Sequence, residues 1–212
     1  YIREVLSYSP GIAQAAMIIG RDISGKRREG LVSLVLLMRD YRDGPDSFDH
    51  LKGPLKGYLL ERCDGCINEA NLCITKPLMI RIEVEIWACL RPQEQPLAVR
   101  EKLLEALRLF LEPETGRAES GRDSGRESRR ENAWESIPKN RREIGNLPRK
   151  SQITAMLHSV RFSGNIVHVA ASAVSGSGLR RYEVDLYELG EQPFGVGING
   201  EHRIHLMFSE GG

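Results

Sequence analysis

The alternation of apolar and polar residues is strongest between Leu78 and Leu90. Charged residues, Arg81, Glu83 and Glu85, stand between apolar positions that recur every second residue: Leu78, Ile80, Ile82, Val84, Ile86, Ala88 and Leu90. Successive side chains point to opposite faces of a strand, so the pattern predicts a long antiparallel strand with one face on a core and one largely in water. A shift of one residue would bury the charges, which tightly specifies the register.

Two earlier segments are also predicted to be neighbouring strands. Residues Ile12 to Ile19 are largely apolar, and the polar residues Arg21 to Gly30 follow them as a flexible loop. Residues Leu31 to Met38 are apolar except at Ser33, which is typical of a strand covered on both faces.

Helical spacing of apolar residues begins after Asp46 or Ser47, either of which can cap a helix by accepting a backbone N–H bond. The apolar stripe consists of Phe48, Leu51, Leu55, Tyr58 and Leu59. Proline lacks a backbone donor and clashes with the preceding turn, so Pro54 predicts a kink or a helix that begins at Pro54.

Two further helices are predicted. The first carries an apolar stripe from Val99 to Leu111 and ends at Pro113. The second is capped by Ser151, and its apolar stripe consists of Ile153, Met156, Leu157 and Val160. Both helices are expected to pack on a sheet.

The C-terminal part is predicted to contain three strands, Ile166 to Val174, Arg181 to Leu189 and Glu201 to Phe208. The resulting order is ββαβα, a loop, then αβββ. This order favours an α+β fold: a mainly antiparallel sheet with helices packed on one face, plus a C-terminal β-rich portion and one long mobile loop. The predicted divisions are an α+β domain (1–113), the flexible loop (114–133) and a helix followed by the β-rich portion (134–212); packing of this last portion on the first domain is left open.

The predicted loop from Glu114 to about Asn132 consists mainly of Arg, Glu, Ser and Gly. Such a segment cannot bury enough apolar surface to offset the roughly 1–2 kcal/mol per residue that backbone ordering costs. An arm that binds RNA is the alternative. Acids nearly match the arginines, however, and no aromatic residues interleave with them.

Composition limits the classes of partner. The chain has 212 residues, 30 Lys and Arg against 29 Asp and Glu, and a net charge of +1. No global field therefore draws it to nucleic acid or to an anionic membrane. The apolar runs are too short to span a bilayer, the N-terminus does not resemble a signal peptide, and a soluble cytosolic chain is predicted. Because the chain begins with Tyr1 and not Met, we expect a piece of a longer protein.

Candidate catalytic chemistry is sparse. Cys63 and Cys66 have the C-x-x-C spacing of zinc ribbons, but Cys73 and Cys89 do not supply the second half, so a metal-dependent enzyme is a weaker alternative. The sequence has no phosphate-binding loop, zinc helix or nucleophile elbow. Glu83 and Glu85 share a strand face and are interpreted as solvent-side or interface charges.

The histidines are interpreted in the same way. His202 and His205 are three residues apart and would face opposite sides of a strand, which disfavours a shared metal. His158 and His168 are interpreted as surface or hydrogen-bonded core residues. No catalytic, cofactor-binding or metal-binding residue is predicted, and no cofactor.

Several landmarks occur in a fixed order along residues 8–160. They are Pro10-Gly11-Ile12 with Ala15 and Met17-Ile18-Ile19, the strand Leu31 to Met38, Thr75-Lys76-Pro77 before the alternating strand, Phe110-Leu111-Glu112-Pro113, Trp134, Ile144-Gly145, and Ser151-Gln152-Ile153. In this order they resemble the baseplate J-like family, the wedge proteins of contractile phage tails and related contractile injection systems. One difference is that Glu135 to Glu143 separate Trp134 from Ile144-Gly145, whereas the family places the tryptophan beside the Ile-Gly pair.

The C-terminal segments Asp185-Leu186, Pro193-Phe194 and Gly200-Glu201-His202 are similar to versions in Gram-positive phages and prophages. The resemblance implies a structural protein and not an enzyme, present in multiple copies in a virion or phage-like particle that is assembled in the bacterial cytoplasm. Its partners would be other baseplate proteins and copies of itself. No nucleic acid, membrane or small-molecule substrate is expected.

Overall fold

The computed structural model describes residues 1–42, 46–62, 65, 67–113, 143–175, 181–183 and 194–209. The helices are α1 (Ile2–Tyr8), α2 (Asp46–Arg62), α3 (Pro96–Leu111) and α4 (Lys150–Ser159). The strands are β1 (Ile12–Arg21), β2 (Arg27–Met38), β3 (Leu72–Thr75), β4 (Leu78–Leu90), β5 (Gly164–Ser175), β6 (Arg181–Glu183), β7 (Gly195–Asn199) and β8 (Arg203–Phe208).

The α+β fold class is confirmed, and the described strands form two sheets. The first sheet has the order β1-β2-β3, with β1 antiparallel and β3 parallel to β2. In the second sheet β4 is central: β5 is antiparallel to it on one side, and β7 and β8 follow one another in parallel on the other. The sheets are therefore mixed, where a mainly antiparallel sheet was predicted. Parallel pairs need long crossovers, and α2 lies in the crossover from β2 to β3.

The core of the first sheet explains the continuous apolar run of β2. Residues 32 to 38 are all buried, as predicted for a strand covered on both faces. Leu34 and Leu36 pack with Leu55 and Leu59 of α2, and Val5 of α1 joins them. Full burial of one such side chain contributes about 1.5–3 kcal/mol.

The core of the second sheet confirms the alternation predicted for β4. Its residues Ile80, Ile82, Val84, Ile86, Ala88 and Leu90 are buried, and Arg81 is exposed. Leu103 and Leu107 of α3 and Ile153 and Leu157 of α4 belong to the same cluster. Both helices therefore pack on this face of the sheet, which is called the inner face below.

Three local predictions about helix starts need correction. Helix α2 begins at Asp46 and continues through Pro54, so it does not begin at the proline. Ser47 is the second residue of α2, and its hydroxyl donates to Asp40 Oδ1 at 2.8 Å. Helix α4 begins at Lys150, so Ser151 is its second residue. The N-cap residue is Arg149, whose backbone N–H donates to Gln152 Oε1 at 3.0 Å.

The first sheet ends with β3, and the second sheet begins with β4. Strand β4 and helix α3 belong with the C-terminal strands, because β4 needs β5, β7 and β8 as hydrogen-bonding neighbours. The segment after residue 142 joins both sheets: Ile144 N–H donates to Gln14 Oε1 (3.2 Å), and Gly145 N–H donates to the Gly195 carbonyl (2.7 Å).

Some predictions fall outside the described residues. These are the loop 114–133, residues 184–189 of the second C-terminal strand, Cys63, Cys66 and Trp134. Strand β6 covers the first three residues of that predicted C-terminal strand. Of the helices in the described ranges, none has the length and apolar character needed to cross a membrane.

Candidate interaction surface

The face of the second sheet opposite α3 and α4 is called the outer face here. It carries the alternate residues of β4, among them Glu83, Glu85, Trp87 and Cys89, which are half-buried. Their position follows from strand geometry, since the residues between them point to the inner face. The predicted shared face of Glu83 and Glu85 is confirmed.

Trp87 lies at the centre of the outer face between two histidine rings. The register of the sheet places His168 of β5 and His205 of β8 opposite it on either side. The centroids of the Trp87 and His168 rings lie 5.1 Å apart, and the two rings are tilted. The centroids of the Trp87 and His205 rings lie 4.9 Å apart, and these rings are stacked with an interplanar angle of 18°. Cross-strand pairs of this kind fix side-chain positions and stabilise the sheet.

A shallow groove of about 230 Å³ lies beside this aromatic row. Its floor includes Ala170 and Ser172 of β5, and its rim carries Glu83, Glu85, Glu201 and Arg203. Three carboxylates and one guanidinium give these four side chains a net charge of −2. One Glu85 oxygen, Oε1, lies 2.8 Å from His205 Nε2, which connects the groove to the aromatic row.

His202 bridges the break between β7 and β8 and thereby positions the groove rim. Its Nδ1 accepts a hydrogen bond from the Val84 backbone N–H at 3.1 Å. Its Nε2 lies 2.7 Å from Asn199 Oδ1 and donates to it. Burial lowers the pKa of His202 to about 4, so the ring is neutral near neutral pH. These two hydrogen bonds hold the backbone of residue 202 in place, and with it the positions of the neighbouring residues Glu201 and Arg203.

Apolar side chains lie at the end of the sheet near Cys89. A bulge in β5 leaves Val167 without a partner on β4, because Trp87 pairs with His168 and Ala88 pairs with Ile166. Val167 is 59% exposed. Met207 of β8 pairs with Cys89 and is 48% exposed. The outer face thus combines an aromatic row with apolar and acidic neighbours.

The other candidate residues do not gather into one site. His158 is exposed in the last turn of α4. His202 and His205 contact different residues of β4, one a backbone amide and the other the side chains of Glu85 and Trp87. Cys73 lies on β3 of the first sheet and Cys89 on β4 of the second. Across the described ranges, no three His, Cys, Asp or Glu residues are grouped so that they could hold a metal ion.

A second concave region of about 360 Å³ lies near the start of β4. It is mainly apolar, and Tyr41 and Lys76 contribute to its lining. The Tyr41 hydroxyl donates to Glu112 Oε2 at 2.7 Å, and the Arg42 guanidinium pairs with the same carboxylate. Burial and the neighbouring Glu112 carboxylate raise the pKa of Tyr41 to about 12. This cluster ties the end of β2 to the end of α3.

Sequence reasoning singled out Glu83 and Glu85 but not Trp87. The signal that identifies Trp87 is its phase, because it follows Glu85 by two residues and therefore shares its face. Its two histidine neighbours come from β5 and β8, and only the three-dimensional register places them there.

A scan against protein-family models finds no match to the chain, and a search of curated proteins finds none either.

Proposed function

We propose that the chain is a structural component of the baseplate wedge in a contractile phage tail or a related injection particle. Its partners are other wedge proteins and copies of itself, and it acts through protein–protein contacts without catalysis. The ordered landmarks from Pro10-Gly11-Ile12 to Ser151-Gln152-Ile153 support this proposal.

The observation that carries the proposal is the Trp87 row on the outer face. Tryptophan is enriched among residues that dominate protein–protein binding energy, and a side chain that is already held in place loses little entropy on binding. Trp87 is half-buried and stacked against His205. A pre-positioned aromatic group on a sheet face suits an assembly contact.

The Ile144-Gly145 landmark adds support from a different part of the chain. Its two backbone amides donate to Gln14 on the first sheet and Gly195 on the second. Gly145 has a φ of 84°, a conformation that glycine adopts without strain. The segment therefore helps to hold the two sheets together, which suits a structural component.

Particle composition tests the proposal. The gene is expected beside genes for sheath, tube and tail fibre, and the protein is expected at the baseplate end of purified particles by immunogold labelling. Deletion of the gene should leave tails without baseplates, and the intact gene supplied in trans should restore them. The proposal would be refuted if the protein were absent from purified particles and deletion of its gene left tail assembly intact.

A further inference from the structure

We infer that the outer face docks a protein partner that places an arginine or lysine side chain in the groove and an apolar side chain against Trp87. This inference rests on the proposed function, because it names the chemistry of the partner in the assembly. The surface comprises Trp87, His168 and His205 together with the groove rim of Glu83, Glu85, Glu201 and Arg203.

Charge complementarity identifies the occupant of the groove. The rim has a net charge of −2, with Glu201 exposed and Glu85 half-buried. A cation that enters between these carboxylates gains charge-assisted hydrogen bonds, which are about twice as strong as neutral ones. Arg203 contributes the one positive charge of the rim, so the incoming cation still meets a net negative surface.

The aromatic row adds a second point of contact. Trp87 pairs with His205, and His205 lies 2.8 Å from Glu85, so the indole and the groove are adjacent. An apolar side chain that adjoins the groove can therefore reach the part of the half-buried indole that the two histidine rings leave uncovered.

The same charges disfavour two other occupants. Nucleic acid would bring phosphates to a rim that already carries Glu85 and Glu201. A second copy that offered the same face would oppose carboxylates to carboxylates, which costs binding energy. A partner with a basic and apolar contact patch matches the surface best.

The test uses the full chain co-expressed with each tail protein encoded beside it. Complex formation is measured by size-exclusion chromatography and titration for the parent chain and for Glu201→Lys, Glu85→Lys and Trp87→Thr. Glu101→Lys is the matched control, because Glu101 is exposed on α3, which covers the inner face. Circular dichroism verifies that each variant folds. Glu201 lies between β7 and β8 and outside both strands, so we expect Glu201→Lys to fold and to test the surface even if Trp87→Thr unfolds.

We expect Glu201→Lys and Trp87→Thr each to weaken the complex at least about tenfold, as loss of an interface anchor does, and Glu101→Lys to bind like the parent chain. Reversing the partner's basic residue to glutamate should weaken binding to the parent chain and restore binding to Glu201→Lys. Normal binding by all outer-face variants would overturn the inference while the proposed function stands. Failure of the parent chain to join any tail protein or particle would overturn both.

Two further measurements address the other occupants. Sedimentation over a range of concentrations compares the parent chain with Trp87→Thr. We expect the two proteins to show the same degree of self-association. Titration with single-stranded DNA at low salt compares the same two proteins. We expect any binding of DNA to be equal in the parent chain and in Trp87→Thr. Either kind of Trp87-dependent binding would replace the basic protein partner with a second copy or with nucleic acid.

Discussion

His202 and Val84 are joined by a single hydrogen bond across the break between β7 and β8. The imidazole Nδ1 accepts from the Val84 backbone N–H at 3.1 Å, in a position where a regular parallel pair would supply a carbonyl oxygen. The other ring nitrogen donates to Asn199 Oδ1 at 2.7 Å. Protonation of Nδ1 would turn this acceptor into a donor and remove the bond to β4.

We predict that the chain loses stability in mild acid through His202. Its folded-state pKa of about 4 lies below the ordinary value of 6.5, so the unfolded chain binds more protons between these limits. The free energy of unfolding should therefore fall as pH decreases through this window. Urea unfolding at a series of pH values from about 7 to about 4 measures the effect.

The control is His202→Gln, whose side-chain oxygen can accept the Val84 N–H bond but does not titrate. Carboxylates contribute to the acid sensitivity of both proteins, so the comparison isolates His202. The variant should show a shallower loss of stability below about pH 6.5. Parallel pH profiles for the two proteins would show that the imidazole contributes nothing.

We predict that Gly164→Ala destabilises the second sheet. A Cβ at this position would overlap the Cys89 carbonyl oxygen and lie 2.9 Å from a ring carbon of Phe162. The backbone at the start of β5 must shift to relieve this overlap. We expect a loss of about 1–3 kcal/mol in the free energy of unfolding, typical of overpacking, measured by urea titration.

Gly57→Ala provides the opposite case in the same assay. Gly57 lies within α2, and apart from the neighbouring residues and the backbone of its own helix, no atom of the described residues would lie within 4 Å of an added Cβ. Alanine has the higher helix propensity, so we expect a gain of about 0.5–1 kcal/mol. Equal effects of the two alanines would contradict the close approach at Gly164.

The strands differ in how far their sequences predict them, for physical reasons. Strand β4 has seven apolar positions in phase, and the predicted strand and its alternation are confirmed, although β4 is antiparallel to β5 alone and parallel to β7 and β8. Strand β7 was missed, because it contains Gly195 and Gly197 and glycine disfavours strands. An added Cβ at Gly197 would lie 2.9 Å from Ile82 Cδ1, so close packing favours glycine there. Strand β3 has four residues, too few for a clear alternation.

Tyr41 is predicted to titrate at higher pH than an exposed tyrosine. Burial and the Glu112 carboxylate both oppose the phenolate, which raises the pKa of Tyr41 to about 12. The unfolded chain loses this proton near the ordinary value of 10, so the stabilising contribution is complete below that pH and is lost as pH rises towards 12. Ultraviolet titration and urea unfolding in alkaline buffer measure the two effects.

Comparison of Tyr41→Phe with Tyr1→Phe identifies the group. Tyr1 is 47% exposed, so its variant should keep both the late-titrating phenol and the parent stability. Tyr41→Phe should lose that phenol and about 0.5–1.5 kcal/mol of stability near neutral pH, the usual contribution of one hydrogen bond. Retention of the late titration in Tyr41→Phe would assign it to another tyrosine.

The sequence predicted one strand's contribution to the candidate surface. The alternation of β4 placed Glu83 and Glu85 on one face, and Trp87 follows in the same phase. The neighbours of Trp87 depend on pairings between residues far apart in the chain. His168 reaches it next to a bulge, and His205 reaches it through a parallel pairing. Local periodicity carries no information on either register.

Fluorescence is predicted to report the stacking of Trp87 directly. In a Trp134→Phe background, which leaves Trp87 as the single tryptophan, His205→Ala should remove the ring stacked 4.9 Å away. The indole then becomes more accessible, so we expect stronger acrylamide quenching and emission at longer wavelength. His158→Ala, which changes an exposed histidine on α4, should leave both properties unchanged. Identical quenching in the two histidine variants would show that His205 does not shield Trp87 in solution.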